Sequence, residues 1–301
     1  MNPSQPNLYL QRINIVIDYI REHLAEDLSL ETLADLAGFS RFHFHRIFSS
    51  IMGETLADFV ARLRLERAVA LLKADRSMLV TDAALTVGFS ALASFSRAFR
   101  RRYGLNASAW DRRVPLKERK NDQALSGFPV YTEAALSETS GQFPVVVRPF
   151  RETRIAYIRV TDSYRPDRVM SAVARLTAWV AARGLDPLTR LSIGMSQDDP
   201  EVTPLELYQY DVCMSVPADW RGEGEVQVRT MRACTLASIH IQGDIYAVDR
   251  AWQYLFRYWL PNSRYLPDNL PAMEIFHRQP AEIGWELFDM DAALPIVPFA
   301  V

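Results

Sequence analysis

Apolar residues recur at helical spacing through the first third of the chain. Ile13, Val16, Ile17, Ile20 and Leu24 form one stripe, and Phe44, Ile47, Phe48 and Ile51, at i, i+3, i+4 and i+7, form another. Leu56, Phe59, Val60, Leu63, Val69 and Leu72 belong to a longer central helix. From Leu8 to about Arg113 the pattern is helical with short Gly-marked breaks, and little reads as strand. Residues 114–144, VPLKERKNDQALSGFPVYTEAALSETSGQFP, are polar with scattered Pro and Gly and no sustained period, which is linker composition. Short β-branched runs follow: VVVRPF (145–150), IAYIRV (155–160), LSIGM (191–195), YDVCMSV (210–216) and LASIHI (236–241), with helical stretches near 167–183 and 247–259. The pattern predicts a multidomain chain, with an all-α domain over 1–115, a linker over 116–143 and an α+β domain over 144–301.

Both domains are duplicated internally. AGFS (37–40) recurs as VGFS (87–90) and FHRIF (44–48) as FSRAF (95–99), followed at equal distances by Gly53 and Gly104, then Phe59 and Trp110. The second copy has one extra residue between its blocks. Each copy has the parts of a helix-turn-helix, so two such units stand in tandem. In the first, Ser29 and Ser40 can cap successive helices, Ala34 and Ala37 allow a close crossing, and Gly38 suits the turn. Thr81, Ala83, Ala84, Gly88 and Ser90 hold the equivalent places in the second. In the α+β domain, Arg148, Ala156, Ile158 and Val160 reappear as Arg229, Ala237, Ile239 and Ile241, each set followed by an amphipathic helix. Two β-β-α-β repeats side by side are expected.

Composition is that of a globular protein, with 49% hydrophobic and 23% charged residues. The net charge of −2 hides an asymmetry: residues 1–120 carry 18 Lys and Arg against 13 Asp and Glu, and residues 121–301 carry 16 against 23. A polyanionic partner suits the first part, and a neutral or cationic one the second. Cys213 and Cys234 lie far apart without a C-x-x-C motif, and His43 and His45 point to different helix faces, so neither a disulfide nor a metal site is read. The N-terminus lacks a leader pattern and no run reaches 18 consecutive apolar residues, so a cytoplasmic protein without membrane contact is expected. The sequence has no Ser-His-Asp or Cys-His arrangement and no phosphate-binding Gly loop, so neither enzyme activity nor a cofactor is expected.

With its doubled GFS and F-x-R-x-F, the helical domain resembles the DNA-binding module of the AraC/XylS family of transcription regulators over about residues 8–113. The resemblance implies double-stranded DNA as partner. It puts Phe42, His45 and Arg46 where the first recognition helix meets base edges and sugars, and Leu92, Ala93, Ser94 and Arg97 on the second. The residue types suit that role. Arg46 can bind guanine O6 and N7 together, His45 can donate or accept at a base edge, and Phe42 can pack on a thymine methyl. Arg12, Arg41, Arg100, Arg101 and Arg102 suit phosphates. The second helix offers ALAS in place of hydrogen-bonding groups, so direct readout there should be weak and groove shape should matter more.

The stretches GMSQDDPEVTPLELYQYDVCMSV, GEVQVRTMRACTLASIHIQGDI and YWLPNSRYLPDNLPAMEIF resemble the GyrI-like effector-binding domain over roughly residues 144–301, giving the layout of Rob-type regulators. That resemblance implies a carboxylate beside aromatic groups in a cleft that binds lipophilic cations, and Glu274 holds the position. In a strand over 273–277, Glu274 and Phe276 share one face, and Met273, Ile275 and His277 share the other. A carboxylate neutralises an organic cation and ring faces add cation–π attraction. Tyr208, Trp252 and Trp259 are candidate ring contacts. The implied function is a regulator in which binding of a small effector at the second domain changes the first domain's DNA affinity or its contact with RNA polymerase. Two further readings stay open for the second domain: a hydrolase of small electrophilic compounds, and a module that sequesters a protein.

Overall fold

A computed structural model describes residues 5–114, 116, 131–139, 141, 143–199 and 202–299. Most of the linker expectation, over 117–130, lies outside the described residues. The helical part consists of α1 (Gln5–Glu22), α2 (Leu30–Ala37), α3 (Arg41–Met52), α4 (Leu56–Ala74), α5 (Val80–Thr86) and α6 (Leu92–Tyr103). Two cores form along one spine. The first half of α4 packs Phe59 and Leu63 against Ile13, Ile17, Leu33, Phe44 and Phe48. The second half packs Val69 and Leu72 against Ala83, Phe95, Phe99 and Trp110. Buried Arg62 and Glu66 on a third side of α4 show that this helix also faces something polar.

The two helix-turn-helix units are built alike but capped differently. Ser29 Oγ accepts from Thr32 N at 3.1 Å and Ser40 Oγ from His43 N at 3.4 Å, satisfying otherwise unpaired amides at the starts of α2 and α3. In the second unit, Thr81 lies inside α5, whose N-cap is Leu79, and α6 is capped by Ala91 without a side-chain bond. The extra residue displaces Ser90 from the cap position. Packing therefore carries this unit, with Gly88 at φ +92° where an added Cβ would meet the Ala25 backbone at 2.8 Å.

The second part is a nine-stranded antiparallel sheet with helices on one face. Its first unit is β1 (Val146–Phe150), β2 (Thr153–Thr161), α8 (Pro166–Ala181), β3 (Ser192–Ser196) and β4 (Gln209–Ser215). The second is β5 (Gln227–Met231), β6 (Cys234–Gly243), α9 (Ile245–Gln253), β8 (Ala272–Arg278) and β9 (Phe288–Pro298), with a short β7 (Tyr265–Pro267) on β9 and α10 (Pro280–Ile283) before it. Each unit is thus β-β-α-β-β, one strand longer than the repeat read from sequence. The order β1-β6-β9-β8-β3-β4-β2-β5 reads the same from both ends, with each unit's first strand paired to the other unit. Ala156, Ile158 and Val160 pack under α8, and Ile239 and Ile241 under α9. The opposite face gathers Phe150 from one sheet edge and Met231 from the other into a single cluster with Tyr157, Met195 and Ile275, so the sheet curls on itself.

Between the two parts, α7 (Glu133–Glu138) corrects the reading of 116–143 as linker throughout. Leu136 is buried against the α9 layer and Arg76 bonds Glu133 at 3.0 Å. Tertiary contacts, not local period, hold this turn of helix. At the other end of the segment, Leu116 is buried beside Phe99 and Trp110.

Candidate DNA-reading helices and an interdomain pocket

On α3, Arg41, Phe42, His45 and Arg46 are all exposed while Phe44 and Phe48 are fully buried. Phe42 is 76% exposed, the highest value among the large apolar side chains of the described residues, with the Arg46 guanidinium 5.8 Å from its ring centre. On α6, Ala93, Arg97 and Arg101 are exposed, Ser94 is half-buried and accepts from Arg97 at 3.2 Å. Arg101 reaches Asp58 at 3.4 Å in an open ion pair, of a kind that contributes little to stability. Two arginines expected on phosphates are engaged elsewhere. Arg12 donates to the carbonyls of Ala37 and Gly38, closing the first turn, and stacks on Phe39. Arg102 donates to Glu66 and to the Val202 carbonyl, across to the sheet part.

A cavity of about 450 Å³ opens between the two parts of the molecule, within the usual range for small-molecule sites. The sheet part supplies Glu274, Tyr208, Tyr164, Trp252 and Phe256, and the helical part supplies Arg21 from α1, Leu24 from the turn after it, and Leu63, Arg67, Ala70 and Lys73 from α4. Of the five residues expected at the ligand, the structure brings Glu274, Tyr208 and Trp252 to the cavity wall. Phe276 packs into the layer under α9, and Trp259 stacks on Tyr265, 6.0 Å between ring centres. Both are large apolar rings that the core takes up. The walls from α1 and α4 were not legible in the sequence, because residues more than 100 positions apart meet there.

Glu274 Oε2 accepts from Tyr210 Oη at 2.5 Å, and Trp252 also donates to it. Burial pushes this carboxyl above the usual glutamate range, a shift that the two neutral donors reduce without cancelling. Burial and the adjoining carboxylate together push the Tyr210 hydroxyl well up. The pair fits only because β3 has glycine at the facing position. A Cβ on Gly194 would lie 1.6 Å from Tyr210 Oη and 3.1 Å from Glu274 Oε2.

The cations around the cavity have their own partners. Arg21 bonds Asp198 at 2.9 Å, Lys73 lies 3.7 Å from Asp199, and Arg67 donates to the Asp268 and Pro267 carbonyls at 2.7 and 2.6 Å. Burial draws the Arg67 guanidinium down to about 10. Beside them, Arg62 bridges Glu54, Glu66 and Asp198 at 2.7, 3.3 and 3.1 Å, and Thr203 donates to Glu66 at 2.6 Å. Farther along α1, Asp18 accepts from Tyr157, Arg159 and Arg229 at 2.6, 2.7 and 2.8 Å. Burial would raise the Asp18 pKa, but the two guanidiniums outweigh it and hold it below the usual range. Arg159 also bonds both Asp211 oxygens at 2.8 Å. The two parts are therefore joined through buried, charge-assisted contacts on α1 and α4, the helices that form one wall of the cavity.

Residues 143–296 match the family of the GyrI-like small molecule binding domain, and residues 33–113 match the helix-turn-helix domain family, of the AraC type. Over 103 residues the chain is 36% identical to the probable transcriptional regulator LumQ of Photobacterium leiognathi, covering 34% of this chain and 41% of that one. An uncharacterized HTH-type transcriptional regulator of Bacillus subtilis, YbfP, is 34% identical over 103 residues, 34% of each chain. The match thus spans well under half the length of these relatives. Among solved structures, the DNA-binding domain of AdpA in complex with a target DNA is 30% identical over 33% of this chain and 88% of that one, with a TM-score of 0.31. The C-terminal domain of EcmrR is 14% identical over 52% of this chain and 98% of that one, with a TM-score of 0.39. No described helix is long and apolar enough to cross a membrane. With just over half of its length matched by that family, and an AraC-type helix-turn-helix domain preceding it, the chain belongs to the GyrI-like small-molecule-binding proteins.

Proposed function

We propose that this chain is a sequence-specific DNA-binding transcription regulator whose interdomain pocket takes a small lipophilic cation. One observation carries the reading: the cavity that holds Glu274 is walled on its other side by α1 and α4 of the DNA-reading part. Glu274 is met by neutral donors, whereas Asp198 and Asp199 are already paired with cations. A cation entering between Tyr208, Trp252 and Phe256 supplies the missing positive charge, and the rings bind its faces. Because α4 is also the spine shared by both helix-turn-helix units, a ligand that favours one seating of α4 changes DNA affinity through that differential contact.

On the DNA side, Arg46, His45 and Phe42 read bases from α3. Arg41, Arg97 and Arg101 hold phosphates, and Ala93 and Ser94 allow the start of α6 a close approach to the duplex. The weak Arg101–Asp58 pair is readily exchanged for a phosphate. The pocket reading is tested by titrating the full chain with tetraphenylphosphonium and with a neutral analogue of similar size, following tryptophan fluorescence. Glu274→Gln should weaken the cation at least about tenfold, a loss of about 1.4 kcal/mol, and leave the neutral compound unchanged. Equal weakening of both compounds would reject the electrostatic role. Recovering an electrophilic test compound intact by mass analysis separates sensing from hydrolysis.

A further inference from the structure

Another cluster of chemistry-bearing side chains lies on the sheet face turned away from Glu274. Alternation puts His240 on the side of Leu236, and Asp289 and Asp291 on the side of Ala293, facing away from the α9 layer, and His277, at the irregularity of β8 between Phe276 and Arg278, meets Asp291 there. Strand register pairs Asp291 with His240 on one neighbour and with Ile275 on the other. Three adjacent strands thereby bring two imidazoles to one carboxylate oxygen: His240 Nδ1 lies 3.2 Å and His277 Nε2 2.9 Å from Asp291 Oδ1.

We propose that His240, His277 and Asp291 bind a divalent first-row transition metal ion of the Zn²⁺ class. One ligand atom from each of the three lies within 4.8 Å of the others. The two shorter separations approach the edge of a tetrahedron around an ion with bonds of about 2.0–2.1 Å, which is about 3.3 Å. Two imidazoles and one carboxylate favour Zn²⁺, Co²⁺ or Ni²⁺ over Mg²⁺ or Ca²⁺, which prefer all-oxygen sites.

The surroundings have the second layer that such sites use. Arg148 donates to the other oxygen of Asp291, which fixes the carboxylate with Oδ1 toward the histidines. Asp289 Oδ1 is buried without a hydrogen-bond partner and lies 3.6 Å from His240 Nε2. Hydrogen bonding of the histidines to Asp291 alone leaves that oxygen unsatisfied. When His240 ligates through Nδ1, its Nε2–H turns to Asp289, the carboxylate–histidine–metal arrangement that orients a ligating ring. The side chains of His240 and His277 are 50% and 46% exposed, so an ion and its completing waters have access. The bound ion staples β6, β8 and β9 on the face opposite the effector pocket, and so gives the domain a second chemical input.

The test is titration of the full-length chain with Co²⁺, followed by visible absorption and then displacement with Zn²⁺. One equivalent should saturate the absorption, and Zn²⁺ should abolish it. His277→Ala, at an exposed position that should not disturb folding, should remove the signal with an unchanged circular dichroism spectrum. Asp289→Asn, a positioning change, should weaken binding by about 10–100-fold and shift the absorption. His45→Ala should do neither. The proposal is overturned if no saturable absorption develops, or if it survives both His240→Ala and His277→Ala.

Discussion

In the proposed reading Arg46 and Glu274 carry the two chemistries of this molecule, and each can be tested singly. Arg46 projects from α3 beside exposed Phe42, with its guanidinium 5.8 Å from that ring's centre. Arg46→Ala should cost about 1–3 kcal/mol of affinity for a selected DNA site and much less for random DNA, measured by anisotropy at one salt concentration. Equal losses on both would reassign Arg46 to a phosphate. Glu274 makes a pH prediction whose sign follows from its burial. Its carboxyl is held above the usual range, so a cation must bind the deprotonated form and displace a proton. Cation affinity should therefore rise as pH climbs from the usual glutamate range through that raised value and then level off, and an affinity independent of pH from the usual glutamate range upward would contradict the assignment. His45 and Arg46 could be picked out of SRFHFHRIF because exposure on a helix follows from local period. The loss of Phe276 and Trp259 to the core could not, because the same aromatic type fills both roles.

The elements differ in how openly the sequence declares them. α2 and α3 announce themselves through serine caps, a glycine turn and a clean apolar stripe, all local signals. α7 does not, because a six-residue helix gains its stability from Leu136 under α9 and from the Arg76–Glu133 contact. α4 was legible as a helix but not as an interdomain element. Its buried Arg62 and Glu66 break the amphipathic pattern, and part of what holds them there, Asp198 and Thr203, is far away in sequence. Strand β3 supplies the element-level prediction. Gly194 has ordinary backbone angles, so Gly194→Ala should leave the pairing of β3 with β4 and β8 intact while pushing the Tyr210 ring away from Glu274. Cation affinity should fall with little change in secondary structure by circular dichroism. Retention of full affinity would show that the Tyr210–Glu274 bond does not set up the pocket.

Across the whole molecule, the same two helices that border the cavity also make the buried ionic joints between DNA-reading and sheet parts. Asp18 on α1 closes onto Arg159 and Arg229, and Arg62 on α4 onto Asp198. Removing one member of such a joint strands buried charge, so these contacts define a specific docked arrangement and not a loose tether. A ligand between the parts can favour or oppose that arrangement only through its own contacts with each, and the effect on DNA must be reciprocal. The most direct test of this account measures the dissociation constant for a DNA site selected from a random pool, with and without saturating tetraphenylphosphonium, for the wild-type chain and for Glu274→Gln. The account predicts a severalfold change in DNA affinity for the wild-type chain, a change of about 1 kcal/mol or more, that is absent in Glu274→Gln at the same concentration. Cation binding that leaves the wild-type DNA affinity unchanged would contradict it.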